Sequence, residues 1–349
     1  MTAYVSISVA NAEDADRPLL WIELGGQMEN VSGQGEIFAP PFLAANPNSP
    51  VLGPVTPLQA QKPPKFGFGE EGKISFQPED SDWIFSAAIR YGKSSNAREV
   101  QHQTSRPHVS GFNPNVTAIA DFSDTMARHQ ETHAIVDFSA GKDVGLGVLG
   151  KDGSSALSLG VRIAQFTSKA DSDLRARPDL RIKYYAYPGH PFQLKYFHTY
   201  HAMIHAVRGF HGIGPTLSWN GSVPFVGNQQ DGELTFDWGA NAAILFGKQK
   251  ARVRHQQSAH YDNWKFLAAQ SPYRSVYHHS GGHTNVRSVT VPNVGGFAGI
   301  SYRYANAKIS LGYRADVFFG AMDTGIDAVK KSNAAFNGPF ASISVGIGD

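Results

Sequence analysis

The chain has 349 residues, carries 31 Lys and Arg against 29 Asp and Glu, and contains no cysteine. A net charge of +2 gives no strong field for nucleic acid, and zero Cys removes disulfides, thiolate nucleophiles and zinc–cysteine sites. Charged residues are only 17%, yet mean hydropathy is −0.28, with 36 Gly and 11% aromatics filling the gap. That mix suits strands with one apolar face and one wet face, and suits a helix-rich enzyme poorly because Gly weakens helices. No run of about 18 apolar residues exists, so no transmembrane helix is expected.

Residues 1–16 read as an N-terminal tail or an export-signal remnant. Residues 4–12 end in the small-x-small pattern Ala10-Asn11-Ala12, but no basic segment precedes them. A first strand is expected over 17–30, where Leu20, Ile22, Leu24 and Met28 alternate with Glu23, Gln27 and Glu29. The 31–67 connection holds eight prolines, Pro40, Pro41, Pro47, Pro50, Pro54, Pro57, Pro63 and Pro64. It cannot be helix or central strand, and reads as a long loop, either exposed or folded into a lumen.

Strands follow over about 68–78 and 82–104. In the latter, Trp83, Phe85, Ala87, Ile89 and Tyr91 oppose Ser86, Arg90 and Gly92. Further strands are expected over 131–149, 154–167 and 193–209, the last with an ambiguous apolar phase. A turn at Gly209-Phe210-His211 leads to 211–225, where Ile213, Pro215, Leu217 and Trp219 share a face. Next comes 233–247, with Leu234, Phe236, Trp238, Ile244 and Phe246 on one side, then a turn at Gly247-Lys248-Gln249 and a strand over 249–261. The series closes with 285–304, 307–320 and 336–348. In 307–320, Ile309, Leu311, Tyr313, Val317 and Phe319 alternate with Lys308, Ser310, Arg314 and Asp316.

The reading is an all-β fold, a transmembrane antiparallel up-and-down β-barrel of about 12 strands spanning 17–349. Strands of 12 residues or more exceed the usual soluble length and reach the 9–11 needed to cross a bilayer. Long connections at 31–67, 105–131, 168–192, 262–284 and 321–335 fall on one rim, and short turns on the other. The 226–232 connection is assigned to the long-loop rim.

Five stretches then look familiar together: DFSAGKDVGLG at 137–147, GVRIAQF at 160–166, RGFHGIGPTLSWNGSVP at 208–224, DWGANAAILFGKQKA at 237–251, and GGFAGISYRYANAKISLGYRADVFFGAMD at 295–323. They resemble the pore-forming outer-membrane protein family typified by the Legionella major outer-membrane protein. The match runs from about 130 to 348; the first 130 residues match only in barrel style. The resemblance implies an outer-membrane β-barrel with pore-forming activity. One departure is the ending Val345-Gly346-Ile347-Gly348-Asp349, where many outer-membrane barrels place an aromatic residue.

With the apolar phase assigned to lipid, Glu23, Arg90, Arg162, Asp237, Arg252, Arg254, Arg303, Arg314 and Asp316 become the candidate pore-lining residues, joined by Lys73 and Asp137. An Arg or Lys facing lipid at mid-bilayer would cost about 2–4 kcal/mol. Inside, such groups either set ion selectivity or pair across the lumen and close it. The excess of Arg points to mild anion preference.

No catalytic residue, cofactor or metal site is expected. In a helix His201 and His205 would share a face at metal-ligand spacing, but carboxylate ligands at matching spacing are missing. Ser258 and His260 are the nearest approach to a hydrolase pair, without a G-x-S-x-G elbow. The expected function is an outer-membrane pore for passive diffusion of small hydrophilic solutes or ions. The alternative is a structural or surface-interaction barrel with a closed lumen, and after it a lipid-modifying hydrolase. Expected partners are outer-membrane lipids and lipopolysaccharide and the permeating solutes, with self-association into a homo-oligomer left open and no nucleic acid.

Overall fold

A computed structural model describes residues 20–32, 66–79, 81–94, 98–105, 117–118, 121–144, 154–177, 180–184, 193–228, 231–265 and 273–347. The tail at 1–16 and nearly all of the Pro-rich 31–67 connection lie outside them.

The described strands are β1 (Leu20–Ser32), β2 (Phe66–Phe76), β3 (Trp83–Ser94), β4 (Arg98–Ser105), β5 (Thr117–Ala118), β6 (Asp121–Asp143), β7 (Ser154–Arg177), β8 (Leu180–Tyr184), β9 (Gln193–Asn228), β10 (Gly232–Lys265), β11 (Tyr273–Tyr304), β12 (Ala307–Asp323) and β13 (Lys331–Ile347). Every pairing is antiparallel. Ten of these strands close a ring in the order β10-β11-β12-β13-β1-β2-β3-β6-β7-β9, and β9 returns to β10. The short β4, β5 and β8 extend the wall at the long-connection rim through β6 and β9. The protein is thus an all-β, antiparallel closed barrel, which leaves no unpaired edge around the ring.

The ring has ten strands, not about twelve. The segments expected as 193–209 and 211–225 are one strand of 36 residues, and those expected as 233–247 and 249–261 are one of 34. The two supposed turns instead pair with each other in mid-sheet: Gly247 faces Gly212, Lys248 faces His211 and Gln249 faces Phe210. The 226–232 connection therefore belongs to the short-turn rim.

The cause is an inversion of the apolar phase within single strands. Along β10, the outer face carries Phe236, Ile244 and Phe246, exposed at 37%, 49% and 58%. Two residues on, the same face carries Lys248, Lys250, Arg252 and Arg254, all exposed. Meanwhile the inner face changes from Asp237 and Asn241 to Leu245, Ala251 and Val253. β9 and β7 invert at the same level. Leu217 and Ile213 give way to His211 and His205 outside, and Leu159 and Ile163 to Lys169 and Asp171. The lower barrel is apolar outside and polar inside; on the upper wall the outer face is largely polar and the inner face mixes apolar with polar groups.

The upper wall is one-sided. Above the inversion, β7, β9, β10 and β11 continue for many residues, as does β6 against β4 and β7. β1, β3, β12 and β13 end near that level.

Candidate functional site

The barrel interior is the one place where the sequence-predicted charges converge. Seven of the nine candidate residues face it: Glu23, Arg90, Arg162, Asp237, Arg303, Arg314 and Asp316 lie on the inward phase of their strands. Arg252 and Arg254 do not. They share a phase with Ile244 and Phe246 on an uninterrupted strand, so they stand on the outer face of the upper wall. The expected turn at 247–249 would have reset their phase, and no such turn exists.

The inward charges bridge the lumen. Arg90 on β3 donates to Asp316 on β12 at 2.5 Å. Arg162 on β7 makes a forked pair with Asp137, at 2.7 and 3.0 Å, and also donates to Asn241 and Asn293. Its guanidinium lies 3.9 Å from Asp316, which links β7 to β12 across the ring. Arg314 pairs with Glu71 on β2 and stacks over Phe340, 4.9 Å from the ring centroid. Nearer the short-turn rim, Lys308 contacts Asp237 at 2.5 Å, and Ser222 and Ser301 donate to the same carboxylate. Asp137 is held by fork geometry and Asp237 by several donors at once.

Directly above this polar layer lies a dry one. Val31, Ile135, Phe166, Phe210, Leu245, Val291, Phe318 and Phe336 belong to one buried cluster, contributed by β1, β6, β7, β9, β10, β11, β12 and β13. Phe166 packs edge-on against Phe318 at 4.6 Å between centroids, and lies 5.3 Å from Phe336. The two remaining strands contribute Gly69 and Gly92. A Cβ at Gly69 would lie 2.4 Å from Glu29 Oε1, and one at Gly92 would lie 2.2 Å from His133 Cε1. Both glycines are there because the Glu29–His133 pair, at 3.3 Å, occupies their space. All ten strands thus feed a septum across the barrel.

A second closure sits above the septum. β12 carries a bulge between Phe318 and Met322, with Gly320 at φ +67°, a conformation natural to glycine. The bulge turns the chain inward, so the 324–330 segment enters the upper barrel. Asp323 and Thr324 are buried there, and Ile326 packs against Ala170, Ile204, Ala206 and Val253. His283 and Asn285 contact the Asp323 carboxylate at 3.0 and 3.1 Å, and the Gly325 and Lys330 amides donate to it. Burial pushes the Asp323 pKa upward, but these hydrogen bonds outweigh it and hold the carboxyl below its ordinary value. Arg208 donates to the Thr324 carbonyl at 3.3 Å. Burial lowers the Arg208 pKa, with Asp323 and Glu131 opposing. Asp327 meets His255 at 2.6 Å.

The remaining sequence candidates do not converge. His201 and His205 lie on the outer wall, paired with Asp173 and Asp171 of β7. Ser258 sits opposite His201 and His278 in the β9–β10–β11 ladder; the His260 side chain lies outside the described residues. Among the described residues no group of three His, Asp or Glu is placed to hold a metal ion.

No family model matches the chain, and no characterised protein sequence is significantly similar to it. Among solved structures, the transport unit of the autotransporter AIDA-I from Escherichia coli is similar over 97% of this chain and 94% of that one, at 8% identity and a TM-score of 0.24. A TodX deltaS2S3 mutant monoaromatic hydrocarbon channel is similar over 95% and 91%, at 8% identity and a TM-score of 0.23. At these scores the architecture rests on the chain's own strand pairing.

Proposed function

We propose that this protein is a transmembrane barrel of a bacterial outer membrane whose lumen is sealed, and that it works as a structural or surface-interaction barrel rather than as an open diffusion pore or an enzyme. The membrane assignment is supported by the outer apolar belt. On β12 it runs from Ile309 to Phe319, with Leu311 exposed at 62%; on β10 it runs from Leu234 to Phe246. Segments of this length, tilted, match a bilayer core. Tyr302, Tyr304 and Trp83 mark its edge beside the short turns, where interfacial aromatics belong.

The single observation that carries the sealed reading is the septum, to which every strand of the ring contributes. A ten-stranded barrel is only slightly wider than the eight-stranded size that side chains can fill. The resemblance to a pore-forming family supports a second reading, in which the septum and the 324–330 segment open to admit solutes.

Planar-bilayer conductance separates the two. The purified protein is expected to insert without steady current. The variant Phe166→Ala, Phe318→Ala, Asp323→Asn, which removes two facing rings of the septum and the anchor of the 324–330 segment, is expected to conduct. Steady single-channel current from the unaltered protein would overturn the sealed reading.

A further inference from the structure

The outer face of the upper wall holds a charged feature that neither the lumen nor the belt explains. Lys248, Lys250, Arg252 and Arg254 form one outward row on β10, beginning two residues above Phe246. Their lateral neighbours are neutral or basic. The row is flanked by Ser288, Val286, Thr284 and Gly282 on β11, and by His211, Gly209, Val207 and His205 on β9. Lys169 of β7, also exposed, sits opposite Val207 on the far side of β9, level with Arg252. Among the described residues, the carboxylates beside the row on this face are Asp171 and Asp173, engaged by His205 and His201. Among the described residues none of the four cations has an acidic partner.

We propose that this row is a binding site for a phosphorylated glycolipid of the outer leaflet, a phosphorylated saccharide headgroup carried on acyl chains; the proposal rests on the membrane assignment above. Two features select that occupant. The row is continuous with exposed Ile244 and Phe246, so a ligand that sets phosphates against the cations sets its acyl chains against the belt. The row also climbs. Each two-residue step rises about 5 Å for a strand tilted near 45°, so Arg254 stands about 15 Å above Lys248. An ordinary phospholipid headgroup region is only about 5–8 Å deep and would reach the two lysines alone. A multiply phosphorylated saccharide headgroup can engage the whole row. The residue types agree: arginine grips phosphate with a planar fork, and lysine bends its charge toward the interface from a base in the apolar zone.

The test uses the full folded chain in detergent micelles and titrates three probes: a bisphosphorylated disaccharide lipid, the same lipid after phosphatase treatment, and phosphatidylglycerol. Inorganic phosphate serves as a competitor, to distinguish a headgroup site from a free-anion site. The intact glycolipid is expected to bind at least about tenfold more tightly than either other lipid, with millimolar phosphate a poor competitor. The variant Lys248→Gln, Lys250→Gln, Arg252→Gln, Arg254→Gln is expected to lose that preference. The charge-retaining variant Lys248→Arg, Lys250→Arg, Arg252→Lys, Arg254→Lys is expected to keep most of it, which controls for folding. Equal binding of intact and dephosphorylated lipid, or an unaltered preference in the Gln variant, would overturn the site. Insertion into phosphatidylcholine vesicles is measured alongside. A chain that inserts but shows no preference leaves the membrane reading standing, and a chain that inserts into no vesicle removes both.

Discussion

Arg162 holds the polar layer together. Its side chain is 5% exposed, and it meets Asp137, Asn241 and Asn293 while lying within 4 Å of Asp316. Removing it leaves Asp137 without its cation, while Asp316 keeps Arg90. Breaking a buried pair by deleting one partner costs about 3–5 kcal/mol. Arg162→Ala is therefore expected to lower stability by about that amount, read as a shift in the urea midpoint of the protein in micelles. Arg162→Lys is expected to recover only part of the loss, because an ammonium cannot make the fork to Asp137 while reaching the two asparagines. Full recovery by Lys would mean that charge alone matters there. The sequence made Arg162 visible as an inward charge, because alternation is a local property. It could not show that Asn293, 131 residues away, is its neighbour. Glu29 and His133 were likewise legible only as polar positions; their place in the septum depends on the bare backbones of Gly69 and Gly92.

At the scale of the element, β9 and β10 separate what was legible in the chain from what was not. Their lower halves, Ile213 to Trp219 and Leu234 to Phe246, were read correctly. At the inversion the apolar residues jump to the other phase, and a change of phase looks the same as a turn when only the pattern is seen. Gly209, Gly212 and Gly247 strengthened that impression, since glycine punctuates turns as often as it permits close strands. Labelling along β10 can trace the inversion. Single cysteines at Ile244 and Phe246 are expected to react with a lipid-soluble reagent, those at Lys250 and Arg254 with a charged aqueous reagent, and those at Leu245 and Val253 with neither. Labelling at 253 by the lipid-soluble reagent would restore the broken-strand reading, which sets 253 against lipid and 254 in the lumen.

The 324–330 segment offers a pH prediction. Asp323 is faced by His283 and Asn285 from β11, by Arg208 from β9, and by amides of its own segment. Its folded pKa is lowered, so its contribution is fully present above the ordinary 3.8 and is lost as pH falls through the lower folded value. A cysteine at Ile326 is expected to resist aqueous labelling at neutral pH and to become reactive only in that acid range. Asp323→Asn is expected to make it reactive at neutral pH; protection that persists in the Asn variant would show that Asp323 does not anchor the segment.

For the whole molecule, the question is what an opened barrel would conduct. The sequence suggested anion preference because arginines outnumbered carboxylates on the assumed lumen phase. Two of those arginines, Arg252 and Arg254, stand outside. Below the septum, Lys73, Arg90, Arg162, Arg303, Lys308 and Arg314 share the interior with Glu23, Glu71, Asp137, Glu233, Asp237 and Asp316. Among the described residues the signs balance, and several of the groups are locked in pairs. A balanced wall creates little net potential for counter-ions to respond to. The conducting variant with Phe166→Ala, Phe318→Ala and Asp323→Asn is therefore expected to show a reversal potential near zero in a KCl gradient, at low as well as high salt. Adding Arg252→Gln is expected to change nothing, since that side chain faces away from the path. Adding Arg303→Gln is expected to shift the reversal potential toward cations, most at low ionic strength where the Debye length is longest. If Arg252→Gln moved the reversal potential as far as Arg303→Gln does, the outer placement of the β10 row would be wrong, and the glycolipid site with it.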